Sequence, residues 1–321
     1  MIQTTRRSLD THTVAVDWGT SSFRLWLLDR QGGVRANLFK ACGMHSLRPN
    51  QFQGVLDAAL GEISAPDEAP VLICGMAGAA QGWVETPYVP LPTCTTQLAK
   101  KVVRVPGTSR PVFIIPGLSQ DPMIAPDVIR GEETLLLGST LKHNVQGTVC
   151  LPGTHSKWAE IENGVISRFQ TSMTGELFAL LSKQSTLSCF TSNQVEGFET
   201  SAAFEVAVSE ALRYPQRILQ ALFSVRARPL LLGSNEANNM YARLSGLLIG
   251  LEIAGQGLKK EARVALISNS QLASTYSMAL SIAGLQVQQY DSEELICAGL
   301  FHIALELQSS FASQFPAART V

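Results

Sequence analysis

The sequence predicts an α/β protein made of two similar halves joined near residues 142–147. Three observations carry this. Residues 14–34 read VAVDWGTSSFRLWLLDRQGGV and residues 149–166 read VCLPGTHSKWAEIENGVI. Each is a strand, a Gly-Thr-x-Ser turn, a strand, a Gly turn and a third strand, so the chain repeats a supersecondary unit. Elsewhere β-branched runs alternate with segments of helical period. The length, 321 residues, suits about two domains.

In the first half, residues 13–17 form an apolar strand, 19–22 a turn, and 23–29 a second strand with Phe23, Leu25 and Leu27 on one face. Gln31-Gly32-Gly33 marks a hairpin into a third strand over 34–40. Phe52, Val55, Leu56, Ala59, Leu60 and Ile63 recur at helical spacing. Residues 71–74 and 112–115 read as strands, with a glycine-rich segment at 75–82, and 132–141 as a helix. The second half restarts with strands at 148–151, 157–161 and 165–170, the last two joined by the hairpin signal Asn163-Gly164. Helices are expected at 175–182, 272–282 and 293–307, and strands at 263–267 and 285–289. Residues 186–260 read as a helical insertion whose one strand-like run is 229–233. The tail from 309 reads as loose. The domains expected are therefore 1–142 and 143–321.

Apolar residues make up 45% of the chain and charged residues 16%, a core-forming composition. A formal net charge of −1 supplies no field to recruit nucleic acid or an anionic membrane. The first twelve residues hold Arg6 and Arg7 without an apolar run behind them, unlike a secretory signal. No apolar stretch approaches the ~20 residues of a membrane span. The six cysteines form no Cys-x-x-Cys pair and the five histidines are scattered, which disfavours a zinc site or a disulfide frame. A cytoplasmic location with reduced thiols is expected. Oligomeric state is left open, a homodimer included.

The two turns carry the chemistry. Glycine lets a backbone approach phosphate closely, consecutive N–H groups form an anion nest, and hydroxyls add donors. One such turn is an ordinary hairpin. Two at equivalent places point to a polyphosphate gripped by Gly19, Thr20, Ser21 and Ser22 and by Gly153, Thr154, His155, Ser156 and Lys157. Asp17 precedes the first turn and is the candidate ligand for Mg²⁺. Leu151 holds the equivalent place in the second half. The segment DVIRGEET, 127–134, packs three carboxylates and an arginine together. Glu132, at a helix start whose dipole favours a negative charge, is the candidate general base, with Asp127 as the alternative. Acidic residues also cap helices without further function.

The first turn resembles the phosphate-1 motif of the actin-like ATPase superfamily and the second its phosphate-2 motif. Residues 131–138, GEETLLLG, are similar to the Gly-Asp-Gln segment of glycerol- and xylulose-kinase-like enzymes, whose acidic residue matches Glu132. The segments CGMAGAAQGWVETPYVPLP (74–92), PDVIRGEETLLLG (126–138), LPGTHSKW (151–158), MTGELFALL (173–181) and LSGLLIGLEI (244–253) are similar to the 2-keto-3-deoxygalactonokinase family. The resemblance implies two ribonuclease H-like domains with a cleft between them. It implies phosphoryl transfer from ATP, with Mg²⁺, to the C6 hydroxyl of 2-dehydro-3-deoxy-D-galactonate, in galactonate breakdown. It places the keto-deoxy sugar acid near Arg24, Met76, Ala77, Gly78, Trp83 and Arg130. Residues 230–243 and Ser268-Asn269-Ser270 depart from the family wording on the adenosine side, where Ser268 is the candidate contact. The rival readings are a kinase of the same fold with another sugar, sugar acid or polyol as acceptor, and a non-enzymatic actin-like nucleotide switch.

Overall fold

The computed structural model describes residues 11–191, 196–268 and 270–314. In chain order the elements are β1 (Thr11–Trp18), β2 (Phe23–Asp29), β3 (Val34–Lys40), α1 (Phe52–Glu62), β4 (Val71–Gly75), β5 (Val89–Pro90), α2 (Thr95–Ala99), β6 (Val103–Arg104), β7 (Val112–Ile114), β8 (Leu118–Ser119), β9 (Val128–Ile129) and α3 (Glu132–His143). They continue with β10 (Gly147–Leu151), β11 (Ser156–Glu162), β12 (Val165–Ser172), α4 (Thr174–Gln184), α5 (Ser188–Thr191), α6 (Ala202–Arg213), α7 (Ile218–Leu232) and α8 (Met240–Gly255). β13 (Arg263–Ile267), α9 (Ser270–Ile282), β14 (Gln286–Tyr290) and α10 (Ser292–Gln314) complete the set.

The repeat seen in the sequence is a repeat of topology. The first sheet runs β3-β2-β1-β4-β7-β6 and the second β12-β11-β10-β13-β14. β1 pairs antiparallel with β2 and parallel with β4, and β4 runs parallel to β7. β10, β13 and β14 are likewise parallel in sequence. Both sheets thus have the order 3-2-1-4-5, the first extended by the edge strand β6. Val14, Ala15 and Val16 are wholly buried, because a central strand is covered on both faces. Parallel strands open their carboxyl ends to a ligand crevice, and Asp17 stands at that end of β1, in register with Cys74 and Arg24.

The chain divides into two compact units. One comprises residues up to 146, 160–169 and those from 292 onward; the other comprises 147–159 and 170–291. The expected division at 142/143 differs in two places: the β11–β12 tip and α10 both go with the first unit. Within that unit Trp26 Nε1 donates to Glu293 Oε1 at 2.7 Å, and α10 crosses α3 at paired glycines. A Cβ on Gly138 would lie 1.9 Å from the Leu295 carbonyl oxygen, and one on Gly299 2.3 Å from that of Thr134. Only bare backbone fits there, so the crossing fixes where α3 begins.

Other differences are local. Residues 229–233, expected as a strand, end α7 instead, with Pro229 inside the helix and buried. Short apolar runs do not distinguish strand from helix. α10 runs to Gln314, beyond the expected end at 307. The small sheet β5-β8-β9 has strands of two residues, too short to show a period. Among the described residues no helix is long and apolar enough to cross a membrane.

Candidate active site

The first turn, between β1 and β2, is closed by Gly19 N donating to the Ser22 carbonyl at 2.8 Å. Thr20 and Ser21 are exposed at its tip. A second segment holds it from behind: Met44 N and His45 N donate to the carbonyls of Gly19 and Thr20, each at 3.0 Å. Gly43 permits this approach, since a Cβ there would sit 2.3 Å from Ser21 N. Trp18 points into a core cluster with Phe23, Phe52 and Trp83, and its Nε1 donates to the Cys42 carbonyl at 3.2 Å. Asp17 Oδ2 lies 3.4 Å from Arg24 Nη1. Burial raises the Asp17 carboxyl to about 6, with Arg24 opposing the rise and the charge of Glu132 adding to it.

The acidic segment enters beside this turn. Gly131, at φ 108°, begins α3, and a Cβ on it would come 3.3 Å from Gly75 Cα at the end of β4. Glu132 Oε2 accepts from Arg130 N at 3.1 Å. Glu133 is wholly buried. It accepts from Gly131 N at 2.6 Å and from Thr134 Oγ1 at 3.1 Å. Burial first, then Glu132, raises it to about 8. Two neighbouring glutamates therefore have opposite settings: Glu132 is half-exposed beside Asp17, whereas Glu133 is a neutral strut at pH 7. Arg130 donates to the Thr86 hydroxyl and, at 3.0 Å, to the Thr86 carbonyl. Its guanidinium lies 4.4 Å from the Tyr88 ring centre. Its Nε is buried with no partner among the described residues.

The glycine-rich segment after β4 uses much of its own backbone. Ala79 N donates to Met76, Gly82 N to Ala79, Trp83 N to Ala77 and Thr86 N to Gly78. Ala77 and Gly78 are buried and Met76 half-buried. Trp83 stacks on Phe52 with ring centres 6.1 Å apart, which makes it a rim of the core with part of its surface left to solvent.

The second turn, within the other unit, is built differently. Thr154 and His155 are exposed, and His155 Nε2 lies beside Glu176 Oε2 on α4. Glu176 N donates to the Thr154 carbonyl at 2.9 Å. A Cβ on Gly175 would lie 2.5 Å from the Gly153 carbonyl, so the start of α4 is pressed against the turn. Lys157 Nζ donates to the His155 carbonyl at 2.7 Å, which buries the ammonium stem under the turn. Ser156 Oγ faces inward, 2.8 Å from Tyr276 Oη, so only its backbone is left for an anion at the surface. Tyr276 Oη in turn donates to Glu252 Oε2 at 2.8 Å, and Trp158 Nε1 donates to Glu252 Oε1 at 2.8 Å. Burial raises the Glu252 carboxyl, while bonds from Thr174, Trp158, Tyr276 and Ser156 lower it.

A pocket of about 180 Å³ opens beside this turn, lined among others by Gly153, Gly175, Phe178, Tyr241, Leu272 and Tyr276. Phe178 and Phe198 each meet Tyr241 edge-on with centres 5.0 Å apart. Ser268 ends β13 with its N–H on the Tyr290 carbonyl at 3.3 Å and does not line the pocket. Asn269, of the same expected turn, lies outside the described residues.

Of the residues expected from sequence, the fold gathers Asp17, Arg24 and Glu132 at one edge of the first unit. It gathers the backbone of residues 153–157 at one edge of the second. Asp127 sits apart in the loop before β9, capping Val128 N at 2.8 Å, and is not among the charges acting on Asp17. Sequence reading missed Gly43, Glu133, Gly175, Glu252 and Tyr276. Gly43, Gly175, Glu252 and Tyr276 touch segments remote in the chain, and Glu133 is set apart from Glu132 by its burial, so no local spacing signals them. The described residues contain no His, Cys, Asp and Glu cluster of three that would hold a metal unaided. A cation at Asp17 would therefore complete its shell with phosphate oxygens and water, as Mg²⁺ does in phosphoryl-transfer sites.

A family profile described as 2-keto-3-deoxy-galactonokinase matches residues 17–303. A probable 2-dehydro-3-deoxygalactonokinase of Rhizobium meliloti is 43% identical over 290 residues, which cover 89% of this chain and 94% of the relative. The 2-dehydro-3-deoxygalactonokinase of Escherichia coli K12 is 31% identical, over 91% and 97% of the two chains. The crystal structure of a candidate 2-dehydro-3-deoxygalactonokinase from Sinorhizobium meliloti superposes with a TM-score of 0.85 at 40% identity, over 97% of this chain and 99% of that one. A dehydratase activator from Clostridium difficile with bound ADPNP shares the fold at a TM-score of 0.51 and 11% identity, over 97% of this chain and 99% of that one.

Proposed function

The chain belongs to the 2-keto-3-deoxy-galactonokinase family, and from that premise we propose how its residues divide the work of phosphorylating 2-dehydro-3-deoxygalactonate with ATP. The observation that carries the scheme is the meeting of Asp17, at the carboxyl end of β1, with Glu132, at the start of α3. A carboxylate raised by burial, with a second carboxylate's charge acting on it, is suited to hold a cation. Asp17 holds Mg²⁺, which when bound neutralises charge on the transferring phosphoryl group. Glu132 orients the C6 hydroxyl of the sugar acid and accepts its proton. Its carboxylate is set by Arg130 N, and the α3–α10 crossing fixes the helix that carries it. Asp127, held by Val128 N, is the weaker candidate.

The turns bind phosphate through backbone N–H groups and the exposed hydroxyls of Thr20, Ser21 and Thr154. The adenine base enters the pocket lined by Phe178, Tyr241 and Leu272, which is continuous with the second turn through Gly153 and Gly175. Such a lining suits an aromatic base. On the acceptor side, Arg24 and the unpartnered Nε of Arg130 supply positive donors for the substrate carboxylate. The segment at 76–78 supplies shape, and Trp83 a flat rim.

The test is a coupled ADP-release assay. Glu132→Gln should lower kcat by about 10²–10⁴ while leaving ATP affinity intact, and Asp127→Asn should change kcat by less than tenfold. Near-normal turnover of the Glu132 variant would overturn the base assignment. The same assay with the gluconate epimer and with a neutral polyol reads the acceptor. A preference for the polyol would show that Arg24 and Arg130 do not serve a carboxylate.

A further inference from the structure

We propose that the outward face of α7 is a two-fold interface through which the protein forms a homodimer. α7 is apolar on both sides. Inward it buries Ala221, Val225 and Pro229, which recur every four residues. Outward it presents Leu219 at 79% exposure, Phe223 at 62% and Leu230 at 63%, and its last turn adds Leu231 at 81% and Leu232 at 63%. A helix hydrophobic all round is normally covered all round. The stripe residues Leu219, Phe223 and Leu230 form an apolar area on the order of 400 Å², within the range of the largest patches on monomers. With the polar rim around it, the area approaches the ~800 Å² that each partner contributes to a standard stable interface.

The spacing identifies the occupant as a second copy of this chain. The outward stripe is Leu219, Phe223, Arg226 and Leu230, separated by four, three and four residues. That series is the same in both directions. An antiparallel α7 from a second copy, related by a two-fold axis between positions 223 and 226, therefore sets Leu219 of each copy against Leu230 of the other. Phe223 of each copy then meets Arg226 of the other. The isologous contact is self-complementary, as closed dimers require. Arg226 is held for this role by Nη1 donating to the Thr186 carbonyl at 3.1 Å, and a guanidinium against an aromatic ring is attractive. The adjacent charges are already paired, Arg228 Nε with Glu236 Oε2 at 3.1 Å.

Sedimentation velocity on the full chain at micromolar concentration should give twice the chain mass of 34.6 kDa. Phe223→Glu should halve the observed mass without loss of folded signal or of kcat. Site-directed crosslinking fixes the geometry in a Cys189→Ser background, which removes the exposed native thiol. The paired variant Leu219→Cys and Leu230→Cys should give a covalent dimer on mild oxidation, and Leu219→Cys alone should not. A monomeric wild type at all concentrations would overturn the proposal, as would a Phe223→Glu protein that stays dimeric. Crosslinking through Leu219→Cys alone would replace the antiparallel register by another.

Discussion

The two Gly-Thr-x-Ser turns share a sequence pattern and differ in what stands behind them. The first has Asp17 at its entrance, 17% exposed and raised by burial, with the charge of Glu132 adding to the rise. The second has Leu151 there, buried, and its carboxylate comes instead from α8. Glu252 is 5% exposed and bonded by Trp158 and Tyr276 on its two oxygens. The first turn thus has two carboxylates at its entrance, one of them paired with Arg24. The second offers an anion its backbone N–H groups, the Thr154 hydroxyl and the start of α4, where Glu176 stands beside His155. One half thus places its carboxylate at the strand end and the other places one in the core.

The largest test of this contrast is Asp17→Asn. Turnover should fall by about 10³-fold or more, the scale on which losing a charge-stabilising group at a phosphoryl site is felt, and added Mg²⁺ should no longer stimulate it. Assaying kcat against Mg²⁺ concentration checks this. Metal-dependent activity close to wild type would erase the distinction between the turns.

Glu252→Leu should come next. Removing this buried acceptor strands the Trp158 and Tyr276 donors, at about 1–3 kcal/mol each, and lowers the melting temperature. Glu252→Gln keeps the size and loses the charge. It should raise KM for ATP by about tenfold, a cost near 1.4 kcal/mol, with kcat less affected. A drop confined to kcat would place Glu252 in the chemistry rather than behind the nucleotide turn.

Gly43→Ala and Gly175→Ala test the buttresses of the two turns. Each Cβ overlaps backbone, so each should destabilise the fold by about 1–3 kcal/mol, read from denaturant midpoints. Gly43→Ala should also weaken Mg²⁺ stimulation, and Gly175→Ala should raise KM for ATP instead. If both variants move the same kinetic constant, the turns are not functionally separate.

The smallest effect concerns Glu133. Its folded value, about 8, lies above its ordinary one, so its ionised form is disfavoured in the fold. The stability this gives is complete below the ordinary carboxylate range and is lost as pH rises towards and through about 8. Wild type should lose melting temperature between pH 5 and about 8, and Glu133→Gln should flatten that slope. An unchanged slope would assign it to another group.

Much of this was legible in the linear sequence, for reasons that particular residues make plain. Gly-Thr-x-Ser twice, with alternating apolar strands on either side, defined the meander in each half, because turns and period-two burial are local properties. Asp17 and Glu132 stood out because a carboxylate at a strand end and one at a helix start are positions with meaning of their own. Arg24 met Asp17 as cross-strand pairing dictates. The expected roles of Ser156 and Ser268 met a different setting, since the hydroxyl of one is turned onto Tyr276 and the other does not line the pocket. Neither orientation has a local signature. The same holds for 229–233, where a run of apolar residues after a proline has no period to read.

By itself the sequence determined the class of this protein, the duplication, the two Gly-Thr-x-Ser turns and the difference between Asp17 and Leu151. These depend on residue type and on spacings of a few positions. The tertiary structure alone decided that α10 belongs with the first unit, that Glu133 is a buried neutral strut beside a half-exposed Glu132, and that Glu252 stands behind the second turn. Those facts arise from contacts between segments tens to hundreds of residues apart. There the absence of one Cβ, or the burial of one carboxylate, is set by what packs against it.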